Sequence, residues 1–368
     1  MSNTKQIHKP LIILLLSFSF CSGYAQTGGN HDFKFLTLTN SARSTALGSY
    51  WLPIKDGDVN NVLFNPSLIN PDVHHSFALD YINDFGGINY GYATYSHTFD
   101  KVGSFAASMQ FLNYGTMKEA DETGATYGDF SANELAVNVG WGRELTPHWT
   151  IGANLKFAYS SMYADYNAFG LGVDVAGSYF NAEKRLTVSL VANNIGYVLE
   201  PYSQSEDSNR WFPFAMSLGV SQRLEHIPLR YVLIYNNIEK WDLRGNSQPT
   251  TTIDPITGET TTKKNIDKFG DNLMRHLTFG AEFTIAKVIN LRGGYNYGRR
   301  QELKTETRKG MMGFSWGLGL NFKRFSIDYG RSMYHLAGSP NYFTFSANID
   351  RLIAKRSPRA PKSYDEKD

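Results

Sequence analysis

One pattern restricts the fold of this chain more than any other. From His74 to Arg351, apolar and polar residues alternate with period two, run after run. In 278–285, Phe279, Ala281, Phe283 and Ile285 fall on one face, and Thr278, Gly280, Glu282 and Thr284 on the other. The same alternation recurs in 151–157, 314–322 and 343–349. It is the signature of a strand with two unlike faces. Fourteen such segments can be delimited: 74–83, 87–99, 102–115, 130–144, 148–162, 165–180, 184–196, 212–224, 228–240, 274–287, 289–300, 312–323, 325–334 and 341–351. The span allows about 20 residues for each strand and its connection, against the roughly 9–11 that a tilted strand needs to cross a bilayer.

The connections alternate in length. Those at 99–102, 145–148, 181–184, 225–228, 287–289 and 323–325 are tight, whereas 116–129, 197–211, 241–273 and 301–311 are long. A barrel with turns at one rim and loops at the other has this asymmetry. The short connections 84–86 and 162–164 depart from it.

The two faces then choose the solvent. The polar face is mostly Gly, Ser, Asn and Thr, with sparse charge at Lys156, Asp174, Glu282, Arg292 and Asp328. A water-facing sheet would carry more Lys, Glu and Arg. The other face is apolar and often aromatic. Apolar outside, polar inside and closed is what lipid demands, because every strand must be paired there. The expected fold is all-β: a 14-stranded antiparallel transmembrane β-barrel over 74–351, with a short, partly helical N-terminal plug at 26–73. Outer-membrane lipid is the first expected partner. Tyr81, Trp141, Trp149, Tyr159, Trp211, Trp241, Tyr329 and Tyr342 near strand ends are expected to form interfacial girdles.

The remaining segments read differently. Lys5, His8 and Lys9 precede the apolar run Leu11 to Phe20, and Gly23 and Ala25 offer a cleavage site before Gln26. Residues 1–25 are therefore expected to be a secretory signal peptide. Its removal takes Cys21, the only cysteine, so no disulfide is expected. It also takes Lys5 and Lys9 from the 36 basic residues, which leaves them equal in number to the 34 acidic ones. No basic excess points to nucleic acid. The Thr-rich stretch 247–268 reads as a mobile loop. Residues 352–368, with Pro358 and Pro361, read as a disordered periplasmic tail.

Within the plug, residues 33–48 read Phe-Lys-Phe-Leu-Thr-Leu-Thr-Asn-Ser-Ala-Arg-Ser-Thr-Ala-Leu-Gly. Asp56-Gly-Asp58 and then Asn65-Pro66-Ser67-Leu68 follow. This motif, with Ser41, Ala42, Arg43 and Gly48 at its centre, resembles the start of the PorQ family of the type IX secretion system of Gram-negative Bacteroidota. The related PorV barrels share a looser form of it. Both are similar to FadL-like fourteen-stranded barrels, whose N-terminal segment plugs the lumen and carries N-P-A; here Ser67 replaces that Ala. The resemblance implies a non-enzymatic surface anchor for a PorZ-like partner, in an attachment complex that also contains PorU and PorV. In that picture the sortase chemistry belongs to PorU, and no cofactor is implied. The FadL-like fold implies an alternative, a transporter of hydrophobic small molecules. An inward face of Gly, Ser, Asn and Thr speaks against an apolar path.

Individual residues add sharper expectations. Arg43 stands alone among small residues in a segment that must fill a polar lumen, so its guanidinium is expected inside, bonded to lumen carboxylates or plug carbonyls. The long loops should build the partner face, with Trp211, Phe212, Trp241 and Leu243 as anchors. Gly313-x-Ser315-x-Gly317 matches a hydrolase elbow but lies inside an alternating strand, where that turn cannot form. Asp56-x-Asp58-x-Asn60 lacks the later ligands of a calcium loop and reads as a polar turn or helix cap. His74-His75 opens the first strand, and neighbours on a strand face opposite sides, so the pair is not expected to share a metal.

Overall fold

The computed structural model describes residues 32–163, 166–202, 210–244, 251–253, 260–262, 268–303, 310–333 and 338–353. The expected signal peptide 1–25, most of 247–268 and the expected tail from 354 onward lie outside the described residues.

Fourteen strands form one closed antiparallel barrel. They are β1 (Ser76–Asn83), β2 (Asn89–Phe99), β3 (Gly103–Ala120), β4 (Thr126–Glu144), β5 (Trp149–Tyr163), β6 (Tyr166–Asn181) and β7 (Leu186–Glu200). Then come β8 (Ala215–Arg223), β9 (Leu229–Tyr235), β10 (Leu277–Ile285), β11 (Ile289–Asn296), β12 (Phe314–Asn321), β13 (Phe325–Ser332) and β14 (Asn341–Asn348). Each pairs with its sequence neighbours, and β14 returns to β1 with Ser76 opposite Asn348. Closure leaves no open edge around the girth of the barrel, which is what lipid requires, and only above Asn113 does β3 pair with β4 alone. The tight turns and both ends of the barrel chain share one rim, called here the terminal rim. The longer connections share the other, the loop rim. Among the described residues no helix is long and apolar enough to cross a membrane.

Alternation decides which side each residue takes. On β1, Ala78, Asp80 and Ile82 are buried while Leu79 and Tyr81 are more than half exposed. Leu155, Phe157, Leu171, Leu190, Phe279, Leu291, Trp316, Leu318 and Phe343 continue an exposed apolar belt around the outside. Such a belt far exceeds the scattered apolar patches of a water-facing surface.

Strand ends differ from the sequence reading in instructive ways. The segment 116–129 is not a long loop: β3 and β4 continue as a ladder to Ala120 and from Thr126, leaving a tight connection at 121–125. There both faces are exposed, so alternation vanishes although pairing persists. Strand β7 likewise runs to Glu200 rather than ending at 196. On the other side of the barrel the strands are shorter than read. β9 ends at Tyr235, and β11 ends at Asn296, where α3 (Tyr297–Leu303) takes over. A second helix, α2 (Lys268–His276), leads into β10. Tyr342 is no girdle residue: it points inward, 1% exposed, with its hydroxyl 2.9 Å from that of Tyr90.

Residues 33–73 lie inside the barrel, nearly all buried. The first turn, α1 (Ala42–Ala46), rests on β12, β13 and β14. The Pro66–Leu68 turn rests on β4, β5 and β6. Both contacts need inward glycines. A Cβ on Gly142 would stand 2.2 Å from the Ile69 carbonyl oxygen, and one on Gly152 the same distance from that of Pro66. On the opposite wall a Cβ on Gly330 would stand 2.3 Å from the Ala42 carbonyl oxygen.

This fit generates a test. Gly152→Val is expected to lower stability by about 1–3 kcal/mol, the usual cost of overpacking. It should also expose Lys55 to trypsin while the barrel stays closed. Gly293→Ala, where nothing lies within 4 Å of the new carbon, should be neutral. Thermal unfolding and timed proteolysis in detergent read both.

Candidate functional site

The lumen has two layers. The layer toward the terminal rim is ionic and is centred on Arg43. Local sequence sets the position of Arg43. Ser41 caps α1 by accepting from the Ser44 amide at 3.2 Å. Ala42 and Ala46 are small enough to lie against inward glycines, with the Ala42 amide donating to Thr344 Oγ1 at 3.0 Å. Ser315 Oγ donates to the Ala46 carbonyl at 3.1 Å, so the serine of the G-x-S-x-G stretch docks the plug. Gly48 ends the turn at φ +84°, a left-handed conformation that suits glycine.

The guanidinium of Arg43 uses its fork fully. Nε donates to Glu282 Oε2 at 3.0 Å and Nη2 to Glu282 Oε1 at 2.9 Å. Nη2 and Nη1 donate to the two Asp56 oxygens at 2.8 and 3.1 Å, and Nη1 reaches Asp58 Oδ2 at 3.1 Å. The plug thus supplies Arg43, Asp56 and Asp58, and the wall supplies Glu282. Asp58 also accepts from the Asn60 amide at 3.0 Å, so it caps the following turn as well.

Register builds the wall side. Glu282 lies directly opposite Arg230 on β9 and Arg292 on β11. Arg230 Nη1 donates to Asp56 at 2.6 Å and to Glu282 at 3.2 Å; Arg292 Nε donates to Glu282 at 2.8 Å and Nη1 pairs with Asp328. Three arginines therefore face four carboxylates. Burial opposes the charge of Arg43, but Asp56, Glu282 and Asp58 outweigh it and hold its pKa above the ordinary value. Burial pushes Asp56 up, but Arg43 and Arg230 outweigh that and hold its carboxyl well below the usual range. For Asp58, burial dominates and, with Asp56 and Asp328 nearby, pushes the carboxyl up despite Arg43. The lattice forms the floor of a vestibule of about 1010 Å³ open at the terminal rim.

A second buried pair lies across the lumen. Lys156 Nζ stands 2.9 Å from Asp174 Oδ2 and donates to Asn194 Oδ1 at 2.7 Å. Asp174 also accepts from the Asn194 amide at 2.7 Å. Asn65 and Pro66 start the turn on β4 and β5, where Ser67 Oγ donates to Asn65 Oδ1 at 2.6 Å.

The layer toward the loop rim is apolar. Phe33, Phe35, Leu36, Leu52 and Phe64 of the plug pack with Tyr90, Leu112, Phe212, Ile234 and Tyr342. This corrects the reading of the interior as mostly Gly, Ser, Asn and Thr with sparse charge. It also removes Phe212 from the candidate surface anchors. Phe212 is 1% exposed and folds inward onto Gly170, Gly172 and Gly196, 5.3 Å from the Phe33 ring. Trp211 remains outside at 63% exposed, edge-on to Tyr197. Trp241 is exposed beside Phe269 and His276, and half-buried Leu243 is tied to Asn272 through its amide. Arg230 went unnoticed in the sequence because both faces of β9 are rich in apolar residues. Its signal is its place directly across from Glu282.

His74 and His75 also behave differently from the sequence reading. The strand begins at Ser76, and His75 adopts φ +52°. That turn lets the two rings stack at 3.8 Å instead of facing apart.

No protein-family model and no curated protein matches the chain. Among solved structures, a deletion mutant of the TodX monoaromatic hydrocarbon channel has a TM-score of 0.52 at 12% identity, covering 84% of this chain and 99% of that one. The toluene transporter TodX of Pseudomonas putida has a TM-score of 0.49 at 12% identity, covering 84% and 97%. A FadL homologue of Pseudomonas aeruginosa has 0.43 at 11% identity, covering 84% and 98%. At such identities the likeness is one of fold. The shared feature is a closed antiparallel β-barrel, here of fourteen strands.

Two tests follow from the ionic layer. Arg43→Met leaves buried carboxylates facing one another and is expected to cost about 3–5 kcal/mol. Arg43→Lys should recover only part of the loss, because an ammonium cannot bridge Glu282 and Asp56 as a fork does. Loss of plug protection without loss of the barrel's heat-modifiable mobility on gels is the expected reading. The second test is acid. A carboxyl depressed on folding stabilises fully above its unfolded pKa of about 3.9 and progressively less as pH falls below it. Asp56 side-chain exposure of 24% screens part of this effect. Plug protection should therefore weaken below about pH 4. Asp56→Asn should weaken it at neutral pH and flatten its acid dependence.

Proposed function

We propose that this chain is a non-enzymatic outer-membrane barrel that passes small hydrophobic molecules when its plug shifts. The apolar layer at the loop rim carries the reading. Phe33, Phe35, Phe212 and Tyr90 pack the loop side of the lumen as an oily layer above the ionic lattice, with an open vestibule beyond. An apolar solute partitions into such a lining at about 25 cal/mol per Å² of apolar surface removed from water. The fold likeness to a monoaromatic hydrocarbon channel supports the same reading. The lattice then acts as the latch of the plug.

A second reading is a surface anchor for a PorZ-like partner linked to PorU and PorV, as the plug motif's resemblance to the PorQ family implies. The specific observation in its favour is the raised wall of β3 to β7, with exposed Tyr127, Tyr163, Tyr166 and Trp211, beside the Trp241 platform. Exposed aromatics on a rigid support are the residue types that concentrate interface energy.

One experiment separates the two. The full chain is reconstituted into vesicles, and the influx of labelled toluene and of a labelled fatty acid is followed. Influx above protein-free vesicles, lowered several-fold by Phe212→Asp in a barrel that still shows its heat shift, is expected for the conduit. Flat influx, together with capture of a purified PorZ-like protein that fails in Trp211→Ser/Trp241→Ser, would replace the conduit with the anchor.

A further inference from the structure

We propose that His74, His75 and His97 form a binding site for a divalent transition metal of the zinc type, placed where the lumen segment passes into the barrel wall. The donor nitrogens of the three rings all lie within 4.8 Å of one another. The His97 ring centroid is 4.8 Å from those of both His74 and His75. A set of imidazoles suits zinc, copper or nickel rather than calcium or magnesium. Two donors on one tetrahedral zinc stand roughly 3.3 Å apart, given Zn–N bonds of about 2.0–2.1 Å. Closing the present separation asks for ring rotations of an ångström or so, and the three side chains are only half-buried.

The surroundings look built rather than incidental. Three pieces of the fold meet here. His74 and His75 end the lumen segment, and His97 belongs to the outward row of β2, between Tyr95 and Phe99. Asp350 lies in the short helix α4 (Ile349–Ile353) that follows β14. His75 is held in the left-handed region, a conformation that costs a non-glycine residue on the order of 1 kcal/mol and tends to mark functional positions. Its carbonyl accepts from the Ile349 amide at 2.8 Å, and its Nδ1 is 2.9 Å from both Asp350 oxygens. With Nδ1–H turned to that carboxylate, His75 presents Nε2 as a lone-pair donor. A carboxylate behind a ligating imidazole fixes the ring and raises its basicity. His74 Nδ1 accepts from the Thr98 amide at 2.9 Å, so ligation by His74 gives up that bond. The Thr98 amide is therefore an internal reporter of occupancy. A metal here would join the plug's exit to β2, and through Asp350 to the β1–β14 seam.

The proposal stands apart from the question of transport or anchoring, and so does its test. The full chain, purified in detergent without a histidine tag, is titrated with zinc against a chromophoric chelator. Each variant is first checked for its heat-modifiable shift. The expected result is one equivalent bound by the wild type. Affinity should fall by about tenfold or more in His75→Gln and in His97→Gln, and about 10–100-fold in Asp350→Asn. His148→Gln, at another tight turn, should bind as the wild type does. The amide resonance of Thr98 should shift on zinc addition in the wild type and stay put in His97→Gln. Equal zinc affinity in the wild type and both histidine variants, or no binding by the folded wild type, would overturn the site.

Discussion

The bidentate contact between Arg43 and Glu282 is the interaction on which the rest of the lumen depends. One partner comes from a five-residue helical turn and the other from a strand 239 positions later. Neither charge is tolerable alone at that depth. Arg230 and Arg292 flank Glu282 across the ladder, and Asp56 and Asp58 flank Arg43 along the plug. Before they meet, the plug holds one arginine against two carboxylates, and the wall two arginines against two carboxylates, Glu282 and Asp328. The plug segment has too little regular structure to hold its own shape, so the barrel wall supplies what the segment lacks. A buried ion lattice of this kind fixes position more than it adds net stability, because desolvation offsets much of the attraction.

Shape does the remaining work. Inward glycines let plug backbone come within van der Waals reach of the wall at two places on opposite sides. At those glycines the wall presents backbone, with side chains such as Thr344 and Ser315 bonding the plug alongside, and the fit is intolerant of even one added methyl group. The same device recurs with Phe212, whose ring fills the space over Gly170, Gly172 and Gly196. The aromatic inward residues gather toward the loop rim and the arginine lattice toward the turns, but the two overlap: buried Glu134 lies opposite Leu112, and Lys156 lies over the Phe64 ring.

Much of this was legible in the sequence, for a physical reason. Where a strand separates lipid from a polar interior, the side-chain period is enforced at every residue. All fourteen strands could thus be located from alternation. Where both faces meet water, as at the tops of β3 and β4, the constraint lapses and the ladder continues unseen. Phe212 and Tyr342 look like girdle or surface aromatics in sequence, because position relative to a strand end does not reveal that an apolar plug surface waits inside. Arg230 escaped notice because register, rather than local pattern, makes it a partner of Glu282. The two histidines escaped through a single backbone rotation at His75, which no residue type announces.

The uneven wall has a mechanical consequence. β4 has 19 residues and β3 has 18, whereas β9 has 7 and β10 to β14 have 8 or 9. At about 3.4 Å per residue, the short side reaches less than half as far as the tall one. Apart from β8 and β10, with 9 residues each, its strands fall below the roughly 9–11 residues that ordinarily cross a bilayer. A rigid cylinder of this form cannot match lipid equally all round. In a bilayer, the lipid beside the shortest of these strands would thin, or the barrel axis would lean, at a fraction of a kcal/mol per ångström of mismatch. That deformation is directional. It favours thin patches of membrane, and it draws together any neighbours that deform lipid on the same side, without a specific protein contact.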